Sequence, residues 1–114
     1  MTNSQNNSKQ AFQDKMNRIG YNDTPFILKL IKIFSENAKS ALENLNQTSP
    51  ISDLVLKQQV AHKLKSNFQL FEYVEAEELA SKIENASTLD EMKPYLKRLN
   101  KVLPAIMAEL ETFD

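Results

Sequence analysis

Apolar residues recur along this chain at spacings of three, four and seven, the period of one face of an α-helix, and no strand-type alternation is seen. The last such run is the clearest. Leu89, Met92, Leu96, Leu99, Leu103, Ile106, Leu110 and Phe113 keep helical register, with Ser87, Thr88 and Asp90 available to cap its start. Pro94 is expected in its first turns, and Pro104 is expected to bend it further on. Upstream, Thr24 followed by Pro25 reads as an N-cap with proline at the first helical position. The helix they open is predicted to reach about Leu45, turning Phe26, Leu30, Ile33, Phe34, Ala38, Ala41, Leu42 and Leu45 inward and placing the run Phe26 to Phe34 in the core. Ser49 and Pro50 repeat the start signal for a helix to about Phe71. Val74 to Ala86 follows as a further helix, with Ala76, Leu79, Ala80 and Ile83 on one side. A short helix from about Lys9 to Ile19, stopped by Gly20, precedes them all. Residues 1–8 are polar and expected to be flexible, which leaves 9–114 as one helical domain.

Short connections between consecutive helices favour antiparallel neighbours. The expected fold is therefore all-α, an up-and-down four-helix bundle with an additional short N-terminal helix. Composition agrees: there is one glycine and no tryptophan or cysteine. Without cysteine, and with one histidine, a zinc site of the usual ligands cannot be assembled. A formal charge of −1 provides no field to attract nucleic acid or an anionic membrane. Phe26 to Phe34 is interrupted by Lys29 and Lys32 and is too short to span a bilayer, so no membrane insertion is expected.

The one histidine, His62, carries the candidate chemistry. At about 100° per residue, Val60, Ala61, Leu64 and Phe68 form a coherent apolar stripe, and His62 points about 130° away from its centre. Its own face holds Ile51, Val55, Gln58, Gln59, Lys65, Ser66 and Gln69. Two aliphatics beside an exposed imidazole suggest a docking surface rather than a purely solvated face. If this helix and the next are antiparallel about a turn near residue 73, Glu84 lies level with His62. A carboxylate accepting from one ring nitrogen would fix the tautomer and leave the other nitrogen as a nucleophile. Lys65, three positions on, brings a positive charge to the same face. Taken singly, each of these is more often a solvated surface residue. Glu75, Glu77 and Glu78 read as a solvated acidic face favoured by the start of their helix.

The stretch Ala61-His62-Lys63-Leu64-Lys65-Ser66, with Leu79, Ile83 and Glu84, resembles the histidine-containing phosphotransfer domains of bacterial two-component phosphorelays. The likeness covers about Leu54 to Leu110, with the motif confined to residues 61–84. It implies a phospho-accepting His62, a Lys65 that neutralises phosphoryl oxygens, and a Glu84 that orients the imidazole. Ser66 stands where the family usually has glycine, and Glu72 where many members have a second one. The resemblance implies transfer between receiver-domain aspartates, with a sensor or hybrid histidine kinase upstream. It implies no cofactor of the chain's own, since the receiver brings its magnesium. There is no glycine-rich loop for nucleotide phosphates and no acidic cluster to hold magnesium in a pocket, so the chain is not expected to be an enzyme in its own right. Ile51, Val55, Gln58, Gln59, Ser66 and Gln69 are the candidate receiver-docking patch. A cytoplasmic monomer is expected, either free-standing or the cytoplasmic part of a longer membrane-bound hybrid kinase. The alternative of another class is a non-catalytic helical interaction module, a degenerate phosphotransfer-like domain that binds through the same face.

Overall fold

The computed structural model of the chain describes residues 4–46 and 53–113. Among them are five helices and no strand: α1 (Ser4–Ile19), α2 (Thr24–Asn46), α3 (Asp53–Leu70), α4 (Val74–Glu84) and α5 (Leu89–Leu110). Helix α1 starts five residues before the expected Lys9; extending a helix already nucleated costs little, even through polar residues. The Ser49-Pro50 start signal and Ile51 lie outside the described residues.

Caps decide the other boundaries. Asp23, not Thr24, caps α2, since its Oδ1 accepts from the Phe26 N–H at 3.1 Å and Thr24 is already helical. Thr88 caps α5 by accepting from the Glu91 N–H, and the Glu91 carboxylate accepts in turn from the Ser87 N–H. Both Pro94 and Pro104 lie inside α5, which is continuous through them. Gly20 does not take a left-handed conformation; Tyr21 (φ 56°) and Asn22 (φ 60°) do. Glycine is needed at position 20 for space: a Cβ there would sit 2.1 Å from Cγ1 of Ile27.

Helix α2 buries a face rotated from the expected one. Ile27, Ile31, Phe34, Ala38, Ala41 and Leu45 point inward, whereas Phe26 and Ile33 are exposed. The stretch from Phe26 to Phe34 is apolar nearly all round, so spacing alone does not choose its face. Against α2 stands the expected stripe of α3, with Val60, Ala61, Leu64 and Phe68 all buried. Phe34 joins the two, tilted against Phe68 (6.1 Å between ring centres) and edge-on to Phe71 (5.3 Å). Each aromatic pair contributes about 0.5–1.5 kcal/mol beyond its burial. Ala76, Ala80 and Ile83 of α4 and Met92, Leu99, Leu103, Ile106 and Leu110 of α5 complete the core. One charged residue among those described, Lys57, is buried, at 5% exposure within the apolar stripe of α3.

Helix α3 packs on α2 and α4, and α5 on α4 and α2, so these four helices form a closed ring of neighbours. Helix α1 lies against α2, inserting Phe12 and Met16 into the core. Among the described residues, no helix is long and apolar enough to cross a membrane.

Candidate functional site

Because Val60, Ala61, Leu64 and Phe68 take the inner side of α3, the opposite side must face water, and the His62 side chain there is 69% exposed. The neighbouring helix runs antiparallel and in register. Gln69 on α3 donates to Oε1 of Glu77 on α4 at 2.9 Å, and His62 meets Glu84 in the same register. Between the two helices the turn closes with Glu72 in the left-handed region (φ 61°). There the Tyr73 N–H bonds the Phe68 carbonyl and the Glu72 N–H bonds that of Gln69, the paired bonds of a Schellman ending. A glycine is dispensable here because Arg18 of α1 holds the Glu72 carboxylate with two bonds, at 2.6 and 2.8 Å.

Nδ1 of His62 lies 2.7 Å from Oε1 of Glu84. A carboxylate only accepts, so Nδ1 carries a proton, and in the neutral ring the lone pair of Nε2 is left free. Glu84 is the last residue of α4, at the negative end of that helix, where a carboxylate is disfavoured unless donors or cations face it. Two do. The imidazole takes one oxygen, and Nζ of Lys65 stands 3.7 Å from the other. That second oxygen, Oε2, is shielded from solvent and has no hydrogen-bond partner, although the side chain as a whole is 27% exposed. Two of the residues singled out by spacing, His62 and Lys65, thus converge on the carboxylate of the third, Glu84.

The docking candidates divide. Val55 is 53% exposed, and Gln59, Ser66 and Gln69 are exposed as well. Val55, Gln58, Gln59, His62, Lys63 and Glu84 line one shallow depression beside the imidazole. Gln58 is partly buried, and its Nε2 donates to the Ala86 carbonyl at 2.8 Å, so its amide faces its own fold. Lys63 was missed because it stands about 100° round the helix from His62; only the reach of a long side chain brings it to the rim.

Where α1 meets the α3–α4 turn, several ionisations are displaced. Hydrogen bonding to Glu72 raises the Arg18 guanidinium, and the same bonds hold the Glu72 carboxyl below the usual carboxylate range. Burial, reinforced by its bond to Glu109 at 2.6 Å, pushes the Tyr73 hydroxyl well above the ordinary phenol range. Lys15, stacked 4.1 Å over the Tyr73 ring, is lowered by burial against the opposing pull of Glu109 and Glu72.

No family model, no curated protein and no solved structure matches the chain.

Proposed function

We propose that the protein is a phosphorelay intermediate, an up-and-down four-helix bundle that accepts a phosphoryl group on His62 from a receiver-domain aspartate and yields it to another. One observation carries this reading: an exposed imidazole whose Nδ1 is engaged by Glu84 and whose Nε2 is free. The ring of neighbours formed by α2, α3, α4 and α5 supports the bundle.

Phosphoryl transfer asks little of an acceptor beyond an in-line nucleophile and nearby positive charge. The Nε2 lone pair attacks phosphorus as the bond from phosphorus to the aspartyl oxygen breaks, and the electron pair of that bond leaves with the aspartate. The proton on Nδ1 stays where it is. The ring therefore becomes a cation beside the Glu84 carboxylate, which stabilises it. Lys65, which rests against Glu84 in the free protein, swings to the phosphoryl oxygens and neutralises them. The partner supplies the magnesium that holds its own aspartyl phosphate, and it docks over Val55, Gln59, Ser66 and Gln69. The protein acts in the cytoplasm, free or within a longer hybrid kinase.

The test is incubation with a phosphorylated receiver, scored as acid-labile, base-stable label. Wild type is expected to take label and His62→Gln none. Equal labelling of both removes the proposal; absence of label from both, with receiver binding retained, replaces it with the non-catalytic interaction module.

A further inference from the structure

The antiparallel register of α3 and α4 is marked on the His62 face by three polar rungs. His62 to Glu84 is the middle one; Gln69 to Glu77 lies towards the turn, and Gln58 to Ala86 lies at the far end. The outer two differ in strength. Gln69 and Glu77 meet at the surface, where such a bond is worth little. Gln58 is partly buried and bonds a main-chain oxygen just past the last residue of α4, where no helical donor follows. Ala86 is itself buried, and its carbonyl accepts the Gln58 amide across the gap between the helices.

We infer that Gln58 is a positioning residue for His62: by tying the Ala86 carbonyl to α3 it holds the end of α4, and with it Glu84, against Nδ1 of the imidazole. The linkage is short. Gln58 precedes His62 by one helical turn on the same face, and Ala86 follows Glu84 by two residues, so the two bonds brace one small loop of structure. The Ser81 and Ile83 carbonyls of α4 keep their bonds from the Asn85 and Ala86 N–H groups, so release of Gln58 would let the intact last turn of α4 shift away from α3. Glu84 would then leave the imidazole, whose proton would redistribute between the two nitrogens. The consequence for phosphoryl transfer rests on the reading of His62 as the acceptor; the positioning does not.

With one histidine in the chain, its two ring nitrogens can be assigned unambiguously by 15N NMR. At about pH 8.5, above the ordinary imidazole range, the wild-type ring is expected to be mainly the Nδ1–H tautomer. Glu84→Ala defines the unsupported limit. Gln58→Leu is expected to lower the ratio of Nδ1–H to Nε2–H about five-fold, the factor one ordinary hydrogen bond is worth. Gln58→Ala repeats the measurement should leucine reduce the helix content. In the wild-type protein, the side-chain amide of Gln58 is expected to exchange with solvent more slowly than that of exposed Gln59. A wild-type tautomer ratio in the folded Gln58 variant, or equally fast exchange of the two amides, overturns the inference. If the ratio shifts while wild type takes no label from any phosphorylated receiver, the positioning stands and the phosphorelay reading falls.

Discussion

Two glutamates, Glu72 and Glu84, each receive a bond from another helix, and they do opposite things. Glu72 sits at the α3–α4 turn with both oxygens engaged by one guanidinium, and it spends that pairing on holding a left-handed backbone in place. Glu84 stands at the end of α4 with one oxygen on an imidazole and the other shielded and without a hydrogen bond. A fully satisfied carboxylate is a brace, because nothing is gained by moving it. A half-satisfied one still has an interaction to offer when the charge beside it changes, as it does when an imidazole becomes a cation.

This contrast is open to direct attack. Glu84→Ala is expected to lower label uptake from a phosphorylated receiver by on the order of 100-fold, as loss of an orienting partner does, with the melting temperature within about 2 °C of wild type. A large fall in melting temperature with uptake preserved would reverse the two roles. At the turn end, Gly20→Ala is expected to cost about 1–3 kcal/mol, because the new methyl meets Ile27 and α1 must shift from α2; denaturant unfolding measures it. Next comes Glu72→Ala, expected to lower the melting temperature by about 3 °C and to change uptake less than two-fold. Glu72→Gly should melt higher than Glu72→Ala, since glycine removes the left-handed penalty of about 1 kcal/mol; the reverse order would mean that the backbone there is not strained.

The smallest effect concerns alkaline pH. The Tyr73 hydroxyl has a raised ionisation in the fold, so the folded protein keeps its proton at a pH where the unfolded chain has lost it. Its contribution is complete below the ordinary phenol range and is lost as pH rises above it. Melting temperatures across roughly pH 8 to 11 should therefore fall more steeply for wild type than for Tyr73→Phe. Parallel slopes would remove Tyr73 from the account.

The comparison also separates what the residue pattern carried from what it could not. The stripe of α5 was legible because Met92, Leu99, Leu103, Ile106 and Leu110 are divided by charged and polar residues that leave one apolar face. In α2 the same reasoning placed Phe34, Ala38, Ala41 and Leu45 correctly but turned Phe26 and Ile33 inward in place of Ile27 and Ile31, since the run Phe26, Ile27, Leu28, Leu30, Ile31, Ile33 and Phe34 offers several faces. The meeting of His62 with Glu84 followed from helical arithmetic, because side chains carried by the middle of one helix and the end of the next are placed by backbone geometry. The engagement of Lys65 with Glu84 and of Gln58 with Ala86 depends on side-chain torsions that spacing does not constrain. Arg18 and Glu72 lie 54 positions apart, and nothing local to either announces the other.

The His62 side chain is 69% exposed and lines an open depression with Val55, Gln58, Gln59, Lys63 and Glu84. A phosphoryl group left on that ring after the partner departs would have no lid over it among the described residues, and water would reach the phosphorus. Its persistence would be set by the intrinsic lability of the nitrogen–phosphorus bond and not by a cage. The chain would then behave as a courier without a timer, with the duration of the signal decided by how soon the next recipient arrives.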